Sequence, residues 1–81
     1  MEIELRKSAV RDLDKINSKD KKRILNSINS LKNFPQTSNI KHLVASDTAY
    51  RMRVGNYRVL FDLINNTVFI ARILQRKDAY K

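Results

Sequence analysis

The stretch AYRMRVGNYRVLF, Ala49 to Phe61, decides how this chain folds. Polar and apolar residues alternate on both sides of Gly55-Asn56, a pair typical of two-residue hairpin turns. A turn of that length fixes the register: Val54 opposes Tyr57, Arg53 opposes Arg58, Met52 opposes Val59 and Arg51 opposes Leu60. Tyr50, Met52, Val54, Tyr57, Val59, Phe61 and Leu63 then share the buried side, and Arg51, Arg53 and Arg58 share the other. Directly opposed side chains have Cβ atoms about 5 Å apart, where like charges destabilise a sheet. Folding gives no reason to gather three arginines on one face. A bound polyanion gives one, because a planar guanidinium suits bidentate phosphate contacts.

Outward from the hairpin, Asn65-Asn66 separates the second strand from a third over Thr67 to Leu74. If Phe69, Ala71 and Ile73 enter the core, Arg72 joins the basic face. This register needs a three-residue loop or a bulge, and is preferred because an unpaired arginine is costly to bury. Toward the N-terminus, Ile40 to Val44 suits a brief strand, and Glu2 to Arg6 a short half-buried one. Between them lie two apolar stripes at helical spacing, Ala9, Val10, Leu13 and Ile16, then Ile24, Leu25, Ile28 and Leu31. Ser8 and Ser18 are the expected N-caps, and Phe34-Pro35 closes the second helix. The order predicts one α+β domain over 1–81: an N-terminal strand and a two-helix hairpin packed on a small antiparallel β-sheet.

The chain has 81 residues, no cysteine, one histidine and a net charge of +9. This excludes a disulfide framework and a zinc site. Its apolar runs are far too short for a membrane span or a secretory leader, so the expectation is a cytoplasmic protein. So basic a small domain attracts polyanions. Residues 1–48 hold seven Lys and three Arg, whereas 49–81 hold two Lys and five Arg. The lysine-rich outer face of the second helix, with Lys19, Lys21, Lys22 and Arg23, reads either as a solvated surface or as a site for RNA phosphates. The closing QRKDAYK brings Arg76, Lys77 and Tyr80 after the last strand.

Several of these elements together resemble the RelE/ParE superfamily of toxins from toxin-antitoxin pairs. They are the helix start AVRDL from Ala9 to Leu13, the element Lys41-His42-Leu43, the block YRMRVGNYRVLF and the closing RKDAY. The resemblance covers nearly the whole chain and implies the RelE-like fold of two helices on a small sheet. The basic set with a C-terminal tyrosine looks like the RelE branch. That implies a metal-independent endoribonuclease without cofactor, cutting mRNA in the ribosomal A site by attack of the ribose 2′-hydroxyl to leave a 2′,3′-cyclic phosphate. By the same resemblance Arg58 clamps the scissile phosphate, with Arg53 as its partner and Arg51 at the edge. Arg76 completes the pocket, and Tyr80 stacks on a base or orients the 2′-hydroxyl. Arg72, Lys77 and the basic residues of the second helix would meet mRNA or ribosomal RNA.

Two departures from the family pattern bear on proton transfer. Arginines stand at 51 and 53 where other members carry lysines, and Gln75 stands where many carry histidine just before the matching arginine. Glutamine cannot move a proton, and arginine is a poor general base. The resemblance also implies a cognate RelB-like antitoxin, and the basic surface suits an acidic, partly disordered partner that folds on binding. Two other readings stand beside the ribonuclease: a ParE-like inhibitor of DNA gyrase, and a nucleic-acid-binding module without activity.

Overall fold

The computed structural model describes residues 1–34, 36, 39–44 and 48–75. Its elements run β1 (Glu2–Leu5), α1 (Lys7–Asp14), α2 (Ser18–Asn29), a 3-10 turn (Ser30–Asn33), β2 (Ile40–His42), β3 (Tyr50–Val54), β4 (Tyr57–Ile64) and β5 (Thr67–Gln75). The α+β class is as expected, and so is the hairpin register: Val54 opposes Tyr57, Arg53 opposes Arg58, Met52 opposes Val59 and Arg51 opposes Leu60. Gly55 turns with φ of 57°, a left-handed conformation that glycine adopts at little steric cost.

The sheet differs from expectation first in the placement of β1. Its order is β1-β5-β4-β3-β2, and β1 lies parallel to β5, with Ile3 opposite Val68 and Leu5 opposite Ile70. The sheet is therefore mixed. Alternation in EIEL says which residues face inward, but it carries no information about the partner or the direction of the strand.

The turn after β4 corrects the expected register of β5. Asn65 and Asn66 both take positive φ, 49° and 62°, the pattern of a tight type I′ turn, and Ile64 pairs directly with Thr67. Val68 and Ile70 consequently enter the core, and Phe69 faces the other way. A bulge then intervenes: Phe61 opposes Ile70 but Leu60 opposes Arg72, so Ala71 is the extra residue. It reverses the alternation, returning Ile73 to the core and Arg72 to the outer side. The chain thus uses the tight turn and the bulge together.

Both helices pack on one face of the sheet. Ala9, Leu13, Ile24, Ile28 and Leu31 meet Met52, Val54, Val59, Phe61, Val68, Ile70 and Ile73 in a single core. Phe34 closes one end, edge-on to Tyr50 and Phe61 with centroids 5.1 and 6.0 Å away. Val10 and Leu25, expected in the apolar stripes, are exposed, because each helix presents only a narrow strip to the sheet.

The helix caps shift toward the N-terminus, by two residues in α1 and by one in α2. Arg6 occupies the N-cap of α1 without a side-chain bond, and Asn17, not Ser18, caps α2. The Asn17 side chain accepts from the Asp20 backbone N–H and donates to the Asp20 carboxylate, both at 2.9 Å. Ser8 lies inside α1, and its hydroxyl donates to the Ala71 carbonyl at 2.6 Å. β1 ends as Arg6 N–H donates to the Ile70 carbonyl, and α1 takes over alongside the rest of β5. There Ser8 and Asp12, one helical turn apart, bond the backbone that β1 no longer reaches.

Candidate functional site

The outer face of the β3–β4 ladder carries the arginines as the sequence implied, and β2 adds Lys41 opposite Arg51. The three arginines differ in accessibility: Arg53 is exposed, Arg51 is half-buried and Arg58 is only 3% exposed. The Arg58 guanidinium is held locally, its Nη1 donating to the Tyr57 carbonyl at 3.1 Å. Leu60 and Leu74 flank it on the same side, Leu74 directly across from Arg58. Asp62 is the carboxylate nearest this face in sequence. It accepts from the Ala49 N–H at 2.7 Å and meets Arg6 at 3.9 Å, while Arg6 lies over the Phe69 ring.

Arg72 stands on the outer side opposite Leu60, in the row that also contains Arg51. Its guanidinium forms a two-point bond with Asp12 of α1, Nε to Oδ2 at 2.8 Å and Nη2 to Oδ1 at 3.1 Å. Asp12 also accepts the Ile73 N–H at 2.9 Å. Burial pushes the Asp12 carboxyl up, but the Arg72 and Ile73 hydrogen bonds and the charges of Arg72 and Lys15 outweigh it, holding the group below its ordinary value. The same bond raises Arg72. Sequence reasoning missed this use of Asp12, although the residue stands inside AVRDL. The available signal was a polar pair, Ser8 and Asp12, set beside the apolar pair Ala9 and Leu13 at the same spacing.

Lys19, Lys22 and Arg23 are exposed on α2 and Lys21 is half-buried. They lie on the helical side of the sheet, apart from the arginine ladder. Arg23 alone reaches toward the hairpin, where a Cβ added to Gly55 would sit 3.0 Å from its Nη1. Close by, Tyr57 donates to the Asp20 carboxylate at 3.4 Å. His42 is exposed and packs edge-on against Tyr50, with ring centroids 5.1 Å apart. Gln75 ends β5, opposite Tyr57. Arg76, Lys77 and Tyr80 lie outside the described residues. Among those residues, no three His, Asp or Glu side chains gather into a metal-binding group.

Comparison with known proteins agrees with this architecture. A family model described as the ParE toxin of a type II toxin-antitoxin system, parDE, matches residues 3–80. Toxin RelE3 of Methanocaldococcus jannaschii is 33% identical over 89 aligned residues, covering 99% of this chain and 96% of that protein. Among solved structures, the RelB-RelE antitoxin-toxin complex from Methanococcus jannaschii contains a chain with a TM-score of 0.78 and 30% identity, covering 94% of this chain and 93% of that one. The toxin-antitoxin complex RelBE2 from Mycobacterium tuberculosis gives a TM-score of 0.79 at 25% identity, covering 93% of this chain and 96% of that one. Matches that span both chains almost end to end make the assignment: this chain belongs to the RelE/ParE superfamily of toxins from type II toxin-antitoxin systems.

Proposed function

We propose that this toxin is a ribosome-dependent endoribonuclease that cuts mRNA in the A site, works in the cytoplasm and is restrained by a cognate acidic antitoxin. The observation that carries the reading is the pairing of Arg53 with Arg58 across the ladder, with Arg51 and Lys41 on the same face. The likeness to RelE3 supports the branch, and the RelB-bound relatives support the antitoxin. In the reaction the ribose 2′-oxygen bonds to phosphorus as the bond to the 5′-oxygen breaks. The 2′-hydroxyl gives up a proton, and the leaving oxygen takes one. Guanidiniums stabilise the charge that builds on the phosphate oxygens, the term for which preorganised cations are best suited. Arg53 and Arg58 supply it, with Arg51 at the edge. The ribosome aligns the RNA, and Arg76 and Tyr80 complete the set.

The burial of Arg58 determines which variant tests the idea. RNA meets a guanidinium this enclosed only after the groups around it give way, and truncating it endangers the fold as well as the chemistry. Arg53 is exposed, so Arg53→Ala is the clean probe. In primer extension on mRNA held in purified ribosomes, the wild type is expected to give a discrete A-site cut, absent from ribosome-free mRNA. Arg53→Ala should slow it on the order of 100-fold, as does loss of one charge-stabilising donor elsewhere. Folded protein that leaves the mRNA intact would sink the ribonuclease. The ParE description of the matching family favours a gyrase inhibitor as the second reading. That reading predicts growth arrest with filamentation and DNA damage, not loss of translation.

A further inference from the structure

The Arg72–Asp12 pair is unequal. The Asp12 side chain is 12% exposed, whereas that of Arg72 is 47% exposed. Of the five N–H groups of a guanidinium, the bond to Asp12 uses one on Nε and one on Nη2. Both on Nη1 and the second on Nη2 have no partner among the described residues, and these form the open end of the fork. An ordinary surface arginine spreads over many rotamers, whose entropy is lost on binding. Here the backbone of β5 holds one end and a largely buried carboxylate the other, so the plane of the guanidinium is set before any ligand arrives.

Stability alone does not account for this arrangement. Ion pairs with so exposed a partner contribute little to folding. The helix is already fastened to the strand without Arg72, through Ser8 to the Ala71 carbonyl and Ile73 N–H to Asp12. The register puts Arg72 two strands from Arg51 in one row, about 10 Å across the sheet.

We infer that Arg72 is a further phosphate contact of the RNA-binding face, and that Asp12 is the positioning residue that aims it without touching the ligand. The inference takes its ligand, single-stranded RNA, from the function proposed above. A phosphate contact reports itself through salt, since each neutralised charge on single strands steepens log K against log salt by about 0.7.

The test measures binding of a 2′-O-methylated single-stranded RNA, which cannot be cut by 2′-hydroxyl attack, by fluorescence anisotropy across a salt series. Arg72→Ala should weaken binding about tenfold at low salt and lower the slope by about 0.7. Asp12→Asn retains an acceptor for Ile73 and leaves the Arg72 charge in place, so it should weaken binding several-fold at an unchanged slope. In an Arg72→Ala background it should do nothing further. Arg72→Lys, which keeps the charge but not the fork, should match Asp12→Asn and serves if the latter fails to fold. A wild-type slope in Arg72→Ala, additive losses in the double variant, or no salt-dependent RNA affinity in the wild type would overturn the inference. Ribosomal cleavage run in parallel separates the two ideas. A lost slope without any cut rejects the nuclease and keeps the phosphate contact, and a cut with an unchanged slope does the reverse.

Discussion

Asp12 gives the residue scale its clearest stability prediction. Its folded carboxyl ionises below the ordinary 3.8, so its contribution is complete above that value and is lost as pH falls through the lower, folded one. Melting temperatures followed from about pH 5 to 2 should therefore fall less steeply in Asp12→Asn than in the wild type. Gly55 offers a second case. Its φ of 57° disfavours any side chain, and a Cβ would press on Arg23 at 3.0 Å, so Gly55→Ala should cost about 1 kcal/mol or more in a denaturant titration. The facing of Arg53 and Arg58 was legible in the sequence because a two-residue turn fixes which residues oppose each other. The burial of Arg58 was not, because alternation identifies a face and says nothing of what covers it.

At the scale of elements, the expected strands β3 and β4 agree with the structure residue for residue, whereas the helix starts do not. Ser8 has the chemistry of a cap, but its hydroxyl is taken by the Ala71 carbonyl, more than sixty residues away. Local propensity cannot anticipate such a partner. Asn17 does cap α2, so Asn17→Ala should destabilise the protein by about 1 kcal/mol without altering the arginine face. The bulge is the other feature invisible to periodicity, since Asn65-Asn66 alone implies a register that would send Arg72 inward. Deleting Ala71 removes the extra residue but keeps Arg72 opposite Leu60 and Ile73 opposite Val59, so the domain should still fold, with the bulge straightened and the Ser8 bond to the Ala71 carbonyl lost. The expected outcome is a native circular dichroism spectrum with a lower melting temperature.

Across the whole molecule, one thin core serves both helices and all five strands. Phe61 is wholly buried at its centre, and Phe61→Ala should cost about 3–5 kcal/mol, much of the about 5–15 kcal/mol that holds a typical domain together. A chemical denaturation curve should show most of the stability gone. The two basic surfaces, the arginine ladder and the outer side of α2, stand on opposite sides of the sheet, so a single RNA segment is not expected to bridge both. The parallel pairing of β1 with β5 also bears on how the toxin is made. Glu2 to Leu5, the first strand synthesised, must wait for Thr67 to Ile70 near the other end of the chain. While that last strand is still inside the ribosome's exit tunnel, β1 has no partner, and neither Ser8 nor Asp12 has a backbone to bind. The parallel pair therefore makes closure of the sheet a late event: the strand made before the helices is the one that waits for β5 to emerge.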